Sequence, residues 1–430
     1  MTTTTSRIPG FYKLPPAERL RALEERLALG KGDVAAYRRG LTLEAADLMV
    51  ENVISTFGLP CAAAVNFLID GVERVVPMVV EEPSVIAAVS NVARLVRPDG
   101  GFVTDSDRSC MIGQIQLTDV ADPEICVARL TAALPRLHDE AVGVHPRLEE
   151  RGGGIRGFEV RRVTYDEPGY PKEEMVVLQF VLDVVDAMGA NMVNTLAEHL
   201  APTVAEVTGG TIGLKILSNL ADQRLSRARV VITPEHLATD DMDGQEVAER
   251  IAGAWRFAWA DPYRAATHNK GVMNGIDSVA IATGNDWRAI EAGAHAYCCR
   301  DGHYRPMTRW EIKDGMLHGS IEVPLQMGVV GGPIRVHPTV QSNLKLLGVD
   351  TARELAGITA AVGLAQNLGA LKALAGEGIQ CGHMRMHART VAATAGAVGE
   401  EVGHVTVELV RSRDFSVERA TGVLDRLRQA

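Results

Sequence analysis

The pattern of apolar and polar positions divides the chain into helical and extended stretches. Leu20, Leu23 and Leu27 form one stripe behind Pro15-Pro16, which predicts a helix through Leu29. A second helix follows Thr42 and runs into Glu51-Asn52-Val53-Ile54. Residues 66–69 and 75–80, joined by Asp70-Gly71, read as a hairpin. Pro83 ends that second strand, and Ser84 is placed to cap a helix over 85–96. Strands are predicted at 112–117, 157–164 and 175–185, with helices at 122–137 and 192–207. The run 175–185 is nearly all apolar, so it reads as a central strand covered on both faces. The resulting β-α-β-β-α order is that of a split β-α-β sandwich and not of a doubly wound sheet.

Beyond it come a strand at 230–233, a helix at 245–259 and a strand at 319–324. Thr351-x-x-Glu354 is a capping box for a long helix through Ala375. Gly363 and Gly369 lie inside that helix despite their cost there, which points to close packing. Gly376 to Gly382 breaks the pattern, and short helices with charged exteriors follow.

At 430 residues the chain has room for two or three domains. The net charge of -10 and the 4% aromatic content argue against a nucleic-acid surface. The six cysteines are scattered apart from Cys298-Cys299 and show no C-x-x-C spacing. Neither a disulfide framework nor a zinc site is expected, and a reducing cytoplasm fits. No segment reads as a signal peptide or a membrane span, so a soluble cytoplasmic protein is expected.

The densest chemistry lies between Asp261 and Gly293. Arg264, His268, Lys270, Asn274, Asp277, Asn285 and Asp286 are mounted among small residues, beside an apolar run at 279–282 that reads as a short strand or helix turn. Arg264 offers a fork for a carboxylate, and Lys270 a point charge for a developing oxyanion. Asp277 and Asp286 are close enough in sequence to set the charge state of Lys270. A salt-bridged capping loop accounts for the same composition equally well. Glu81 and Glu82 sit at a strand-to-helix junction, where complementing the helix dipole is the simpler reading. Asp186-Ala187-Met188-Gly189-Ala190-Asn191 bends a buried strand into a helix, whose free N–H groups can hold phosphate or ribose. No G-x-G-x-x-G and no P-loop sequence is present. His383 and His387 have metal-ligand spacing but no third ligand nearby. His383, after Gly382, reads better as a proton donor delivered by a closing lid.

Taken in order, these stretches resemble the class II (bacterial, soluble) 3-hydroxy-3-methylglutaryl-CoA (HMG-CoA) reductases. The resemblance rests on Glu51-Asn52-Val53-Ile54, Glu81-Glu82-Pro83-Ser84, Asp186 to Asn191, Leu217-Ser218-Asn219-Leu220 and Asp261 to Gly275. Thr283-Gly284-Asn285-Asp286-Trp287-Arg288, Gly363 to Gly369 and Gly382-His383-Met384 complete it. It implies an α+β fold: a mainly helical large domain, an inserted ferredoxin-like cofactor-binding domain and a small C-terminal helical flap. The implied divisions are 1–109 and 218–376 for the large domain, 110–217 for the small one and 377–430 for the flap. The implied reaction is reduction of the HMG-CoA thioester in two hydride steps to mevalonate and free CoA, with NADPH or NADH and no metal.

By the same resemblance Glu82, Lys270, Asp286 and His383 are catalytic. Lys270 polarises the carbonyl, Glu82 donates protons, Asp286 links the two in one network, and His383 protonates the departing thiolate. Ser84, Asn219, Arg264, Thr267 and Asn274 are implied to bind the substrate. Asp186, Met188, Gly189, Ala190 and Asn191 are implied to line the dinucleotide site. A homodimer with shared active sites is implied, with a trimer of dimers as its larger assembly. The chain departs from a well-known NADH-using member at His145, which stands where that protein has an aspartate. His145 or Arg147 could pair with a 2′-phosphate, so NADPH is slightly favoured. Three alternatives stand beside this reading: the same fold oxidising mevalonate, a non-catalytic acyl-CoA or nucleotide scaffold, and a metal-dependent hydrolase built on His383 and His387.

Overall fold

The molecule is organised around one helix, Ala352–Ala375. In the computed structural model, residues 5–27, 29–376 and 379–429 are described, the side chains of 379–386 excepted. The Thr351 hydroxyl accepts the Glu354 N–H at 3.2 Å, as the capping box predicts. From Leu355 to Leu368 every residue of this helix is buried. It is long and apolar enough to cross a membrane, which the sequence reading did not expect, but its surroundings are protein. Helix Pro262–Ala282 crosses it at a site of small residues. A Cβ on Gly363 would lie 2.9 Å from Ile276, and one on Gly369 3.1 Å from the Ala88 methyl. The expected close packing is therefore real and glycine-dependent.

A four-stranded antiparallel sheet covers this helical core in the order Val103–Ser106, Leu225–Ile232, Met316–Pro324, Thr308–Lys313. Strand Thr308–Lys313 was not foreseen; its anchor, Trp310, is fully buried. Val103–Ser106 pairs with Leu225–Ile232, so the chain leaves this layer and re-enters it on neighbouring strands. Everything between them is an insertion.

The insertion follows β-α-β-β-α-β order: Cys110–Thr118, Pro123–Ala141, Gly154–Tyr165, Glu173–Asp183, Ala190–Thr208, Thr211–Ser218. Its antiparallel sheet places the third strand beside the first in the interior, with the second and fourth at the edges. This is ferredoxin-like topology. The apolar strand Glu173–Asp183 is interior, as its composition predicts. Its Phe180 ring fills the space where a Cβ on Gly113 would stand.

The N-terminal region departs from expectation. Its first helix, Pro16–Arg26, ends before Leu29, and Lys31–Arg39 forms a further helix. The helix after Thr42 covers only Leu43–Asp47. Residues 53–60 have no regular structure, and Ile54 and Phe57 are 96% and 92% exposed. Nothing among the described residues covers these apolar side chains, so the segment gains no packing that would hold a helix. The C-terminal helices Ile379–Thr394, Glu400–Ser412 and Val417–Gln429 enclose a core of their own that includes Val391, Val405, Leu409 and Leu424.

Candidate active site

Helix Pro262–Ala282 carries most of the polar residues of the Asp261–Gly293 stretch. The apolar run at 279–282 is its last turn, not a separate strand. Asp261 caps the helix by accepting the Tyr263 and Arg264 N–H groups, both at 3.3 Å. Spacings of three and four residues then put Arg264, Thr267, Lys270 and Asn274 along one stripe. Thr267 and Lys270 are exposed and Arg264 and Asn274 half-buried. The opposite face sends Asn269 into the core, where it accepts the Met307 N–H at 2.8 Å and donates to the Arg305 carbonyl at 2.9 Å. Asn269 thus straps the following loop to the helix, a role its sequence position did not reveal.

Lys270 Nζ donates to Glu82 Oε2 across 188 residues of sequence. The carboxylate that could have served a helix dipole faces the lysine instead. Beside it, Ser84 holds φ 76° and its side chain does not cap the helix it precedes, contrary to expectation. Its hydroxyl is buried with no hydrogen-bond partner among the described residues. Arg264 has no carboxylate partner among the described residues, and burial alone lowers its guanidinium pKa. An ion pair, an orphan hydroxyl and an uncompensated guanidinium therefore flank one helix face. An anionic, carbonyl-bearing ligand complements that set.

Asp286 is placed differently from the shared network expected. It caps helix Trp287–Tyr297, accepting the Ala289 N–H at 3.1 Å, and lies 3.6 Å from Arg288 Nε. Asp277 is paired with Glu291, not with Lys270, and burial followed by that neighbour pushes its carboxyl up to about 8. Asn285 holds both the N–H and the carbonyl of Gly328, at 2.7 and 3.1 Å. His268 is 2% exposed and joined through Nε2 to Thr308 Oγ1 at 2.7 Å; burial and Arg264 drive its pKa down to about 3. Thr308 and Trp310 both donate to Asn367 Oδ1, so the Gly363–Gly369 motif supplies a buried acceptor to the core.

In the inserted sandwich, Gly189 (φ 102°) precedes helix Ala190–Thr208 with no side-chain cap, leaving its first N–H groups available. Val185 is held at φ 53°, a costly conformation for a β-branched residue, with its N–H bound to Asp183 Oδ1 at 3.1 Å. Asp186 Oδ1 accepts the Ala352 N–H at 3.0 Å and so caps the central helix. The His145 ring lies 2.9 Å from the Met192 carbonyl, which brings it to the same helix start. Arg147 is exposed two residues on, and Met188 is half-buried. Asn219 is exposed, with its carbonyl accepting from Gln326 Nε2 at 3.2 Å. His383 lies within helix Ile379–Thr394, not after a break at Gly382, and its side chain is outside the described residues. Among the described residues no three His, Cys, Asp or Glu side chains converge as metal ligands.

The family model for hydroxymethylglutaryl-coenzyme A reductase matches residues 15–388. The chain belongs to the HMG-CoA reductase family. Over 426 residues it is 48% identical to the 3-hydroxy-3-methylglutaryl-coenzyme A reductase of Archaeoglobus fulgidus, spanning 99% of this chain and 95% of that one. A probable reductase of Borreliella burgdorferi is 34% identical over 80% of this chain and 77% of its own. Among solved structures, the HMG-CoA reductase of Streptococcus pneumoniae superposes with TM-score 0.81 at 40% identity, covering 97% of this chain and 99% of that one. A class II HMG-CoA reductase from the same organism, bound to NADPH in open conformations, matches with TM-score 0.80 over 96% of this chain. These HMG-CoA reductases share the mixed α and β architecture described above.

Proposed function

We propose that this chain reduces HMG-CoA to mevalonate and free coenzyme A with NADPH or NADH. The observation that carries the reading is the Lys270–Glu82 ion pair, set on the helix face that also presents Arg264, which has no carboxylate partner among the described residues. Arg264 holds the substrate carboxylate through its guanidinium fork. The Ser84 hydroxyl, buried without a partner among the described residues, and Thr267, Asn274 and Asn219 complete the polar lining for the acyl group. Lys270 Nζ stabilises negative charge on the thioester oxygen and then on the aldehyde oxygen. Glu82, in contact with that ammonium, delivers a proton to the oxygen as each carbonyl is reduced. By family resemblance Asp286 acts with Lys270 and Glu82, and His383 protonates the departing thiolate.

The turn Asp186–Asn191 holds the dinucleotide, which supplies hydride at its nicotinamide. The fit rests on the uncapped N–H groups after Gly189 and on His145 at the helix start. NADPH is the slightly favoured cofactor, since neither His145 nor Arg147 brings negative charge toward a 2′-phosphate. We further infer large-domain segments 1–109 and 218–376, a small domain 110–217 and a flap 377–430. Two copies would share active sites, with the exposed stripe of Leu48, Val50, Ile54 and Phe57 buried between them. The five described cysteines are free thiols, which fits a cytoplasmic location.

The test is reduced-nicotinamide absorbance with HMG-CoA, run with NADPH and NADH in parallel. Oxidation of two cofactor equivalents per coenzyme A released is the expected result. A folded protein that oxidises neither cofactor would overturn the reading.

A further inference from the structure

Arg224 is 3% exposed, yet no carboxylate pairs with it among the described residues. Its Nη1 donates to the Ala187 and Met188 carbonyls, both at 3.2 Å, and its Nη2 donates to the Met327 carbonyl. The guanidinium thus joins two separate segments, the Asp186–Asn191 turn and the strand exit at 325–330. Burial lowers its pKa only to about 10, so it stays charged at neutral pH. Three other contacts dock the same two segments. The Val329 N–H donates to the Asp186 carbonyl at 2.9 Å, and Ala187 bridges Val330. Gly328 also approaches the turn so closely that a Cβ there would lie 2.6 Å from the Met188 nitrogen.

We infer that Arg224 is a positioning residue for the dinucleotide, acting through the main chain of the turn and not by touching the ligand. Carbonyls 187 and 188 immediately precede the uncapped start of helix Ala190–Thr208. Left free, their oxygens could turn toward a bound pyrophosphate and repel it. Arg224 ties both back, so that N–H groups and not carbonyls face the anion, and its charge adds attraction from beneath. A lysine has one ammonium and no fork, and cannot hold three carbonyls on two segments in this geometry. Asn285 fastens Gly328 from the other side, so the turn is registered to the strand exit that adjoins Asp286.

The inference rests on the reading of residues 186–191 as the dinucleotide turn, and the experiment separates the two. The full-length variants Arg224→Lys, Gly328→Ala and Ala190→Glu are titrated with NADPH by nicotinamide fluorescence and with HMG-CoA by calorimetry. Thermal melts identify the variants that fold. Arg224→Lys is expected to weaken NADPH about 10- to 100-fold while HMG-CoA affinity stays within about twofold. KM for NADPH should rise with kcat at saturation little changed. If Arg224→Lys does not fold, Gly328→Ala, which pushes the turn directly, should show the same selective loss. Unchanged NADPH affinity in the folded variants, or equal loss of both ligands, overturns the inference. Ala190→Glu places a charge at the turn itself: if it alone weakens NADPH, the turn reading stands and the role of Arg224 falls. If it leaves NADPH unaffected, the turn reading falls and takes the inference with it.

Discussion

Gly275 on helix Pro262–Ala282 lies so close to Gly363 on helix Ala352–Ala375 that a Cβ at Gly275 would stand 3.2 Å from the Gly363 Cα. The same Cβ would be 2.9 Å from the Val362 carbonyl oxygen, a main-chain atom that cannot rotate away. The helix bearing Lys270 and Arg264 is therefore seated directly on the central helix.

Gly275→Ala should force the two helices apart. A loss of about 1–3 kcal/mol is expected from overpacking. Lys270 lies just over one turn away, so catalysis should suffer as well, beyond what the loss of folded protein explains. Urea denaturation and kcat measured on the same preparation check this. A variant as stable and as active as the parent would show that the helices can separate freely.

Lys270→Ala removes one partner of the exposed ion pair with Glu82. Such a pair contributes little to stability, so the melting temperature should move by no more than a few degrees. Turnover should fall at least ~100-fold, because the charge opposite the reacting oxygen is lost. Glu82→Gln should leave NADPH and HMG-CoA binding near normal while lowering kcat. Substantial turnover in either variant would remove the ion pair from the mechanism.

Asp277 shares a buried site with Glu291, and its carboxyl is raised to about 8. The folded protein therefore keeps a proton there that the unfolded chain releases near pH 4. This contribution is complete below pH 4 and is lost as pH rises toward 8. Asp277→Asn keeps a donor to Glu291 and cannot ionise. It should gain stability relative to the parent as pH rises from about 5 to 8, by about 4 kcal/mol for a shift of this size. Denaturation curves at both pH values test the sign; a gain toward acid pH would refute the assignment.

The His145 ring faces the Met192 carbonyl at the start of helix Ala190–Thr208. His145→Asp would bring a carboxylate to that place. NADPH kcat/KM should fall by about tenfold or more, through repulsion of the 2′-phosphate, while NADH is used as well or better. Parallel kinetics with the two cofactors decide it. Equal effects on both would mean that the 2′-phosphate lies elsewhere.

Local signals carried well where one side chain governs one local event. Thr351 and Asp122 mark the helix starts they occupy, and both cap by accepting main-chain N–H groups. The alternation of strands and helices between residues 110 and 208 yielded five of the sandwich's six main elements, while its edge strand Thr211–Ser218 was not foreseen. Ser84 misled, because its φ of 76° takes the hydroxyl away from the helix it precedes. The stretch after Asp261 looked like loop chemistry because Gly271 and Gly275 weaken its helical propensity. The contact with Gly363 overrides that weakness, and no nearby residue announces it. The same holds for His268, Thr308, Asn367 and Trp310. They form one buried hydrogen-bonded group from three distant segments, and Thr308 and Trp310 sit in a strand that the pattern alone did not reveal. The Glu82–Lys270 pair was reached through family resemblance, since 188 residues separate its members.

Asp186 works in two directions at once: its side chain caps helix Ala352–Ala375, and its carbonyl holds Val329. Redesign of this turn for another cofactor therefore cannot treat it as an interchangeable loop. Any replacement must bring its own acceptor for the first turn of the central helix, or the change in specificity will be recorded as a loss of melting temperature. Over evolutionary time that double duty should hold the aspartate in place even while the residues that read the ribose drift around it.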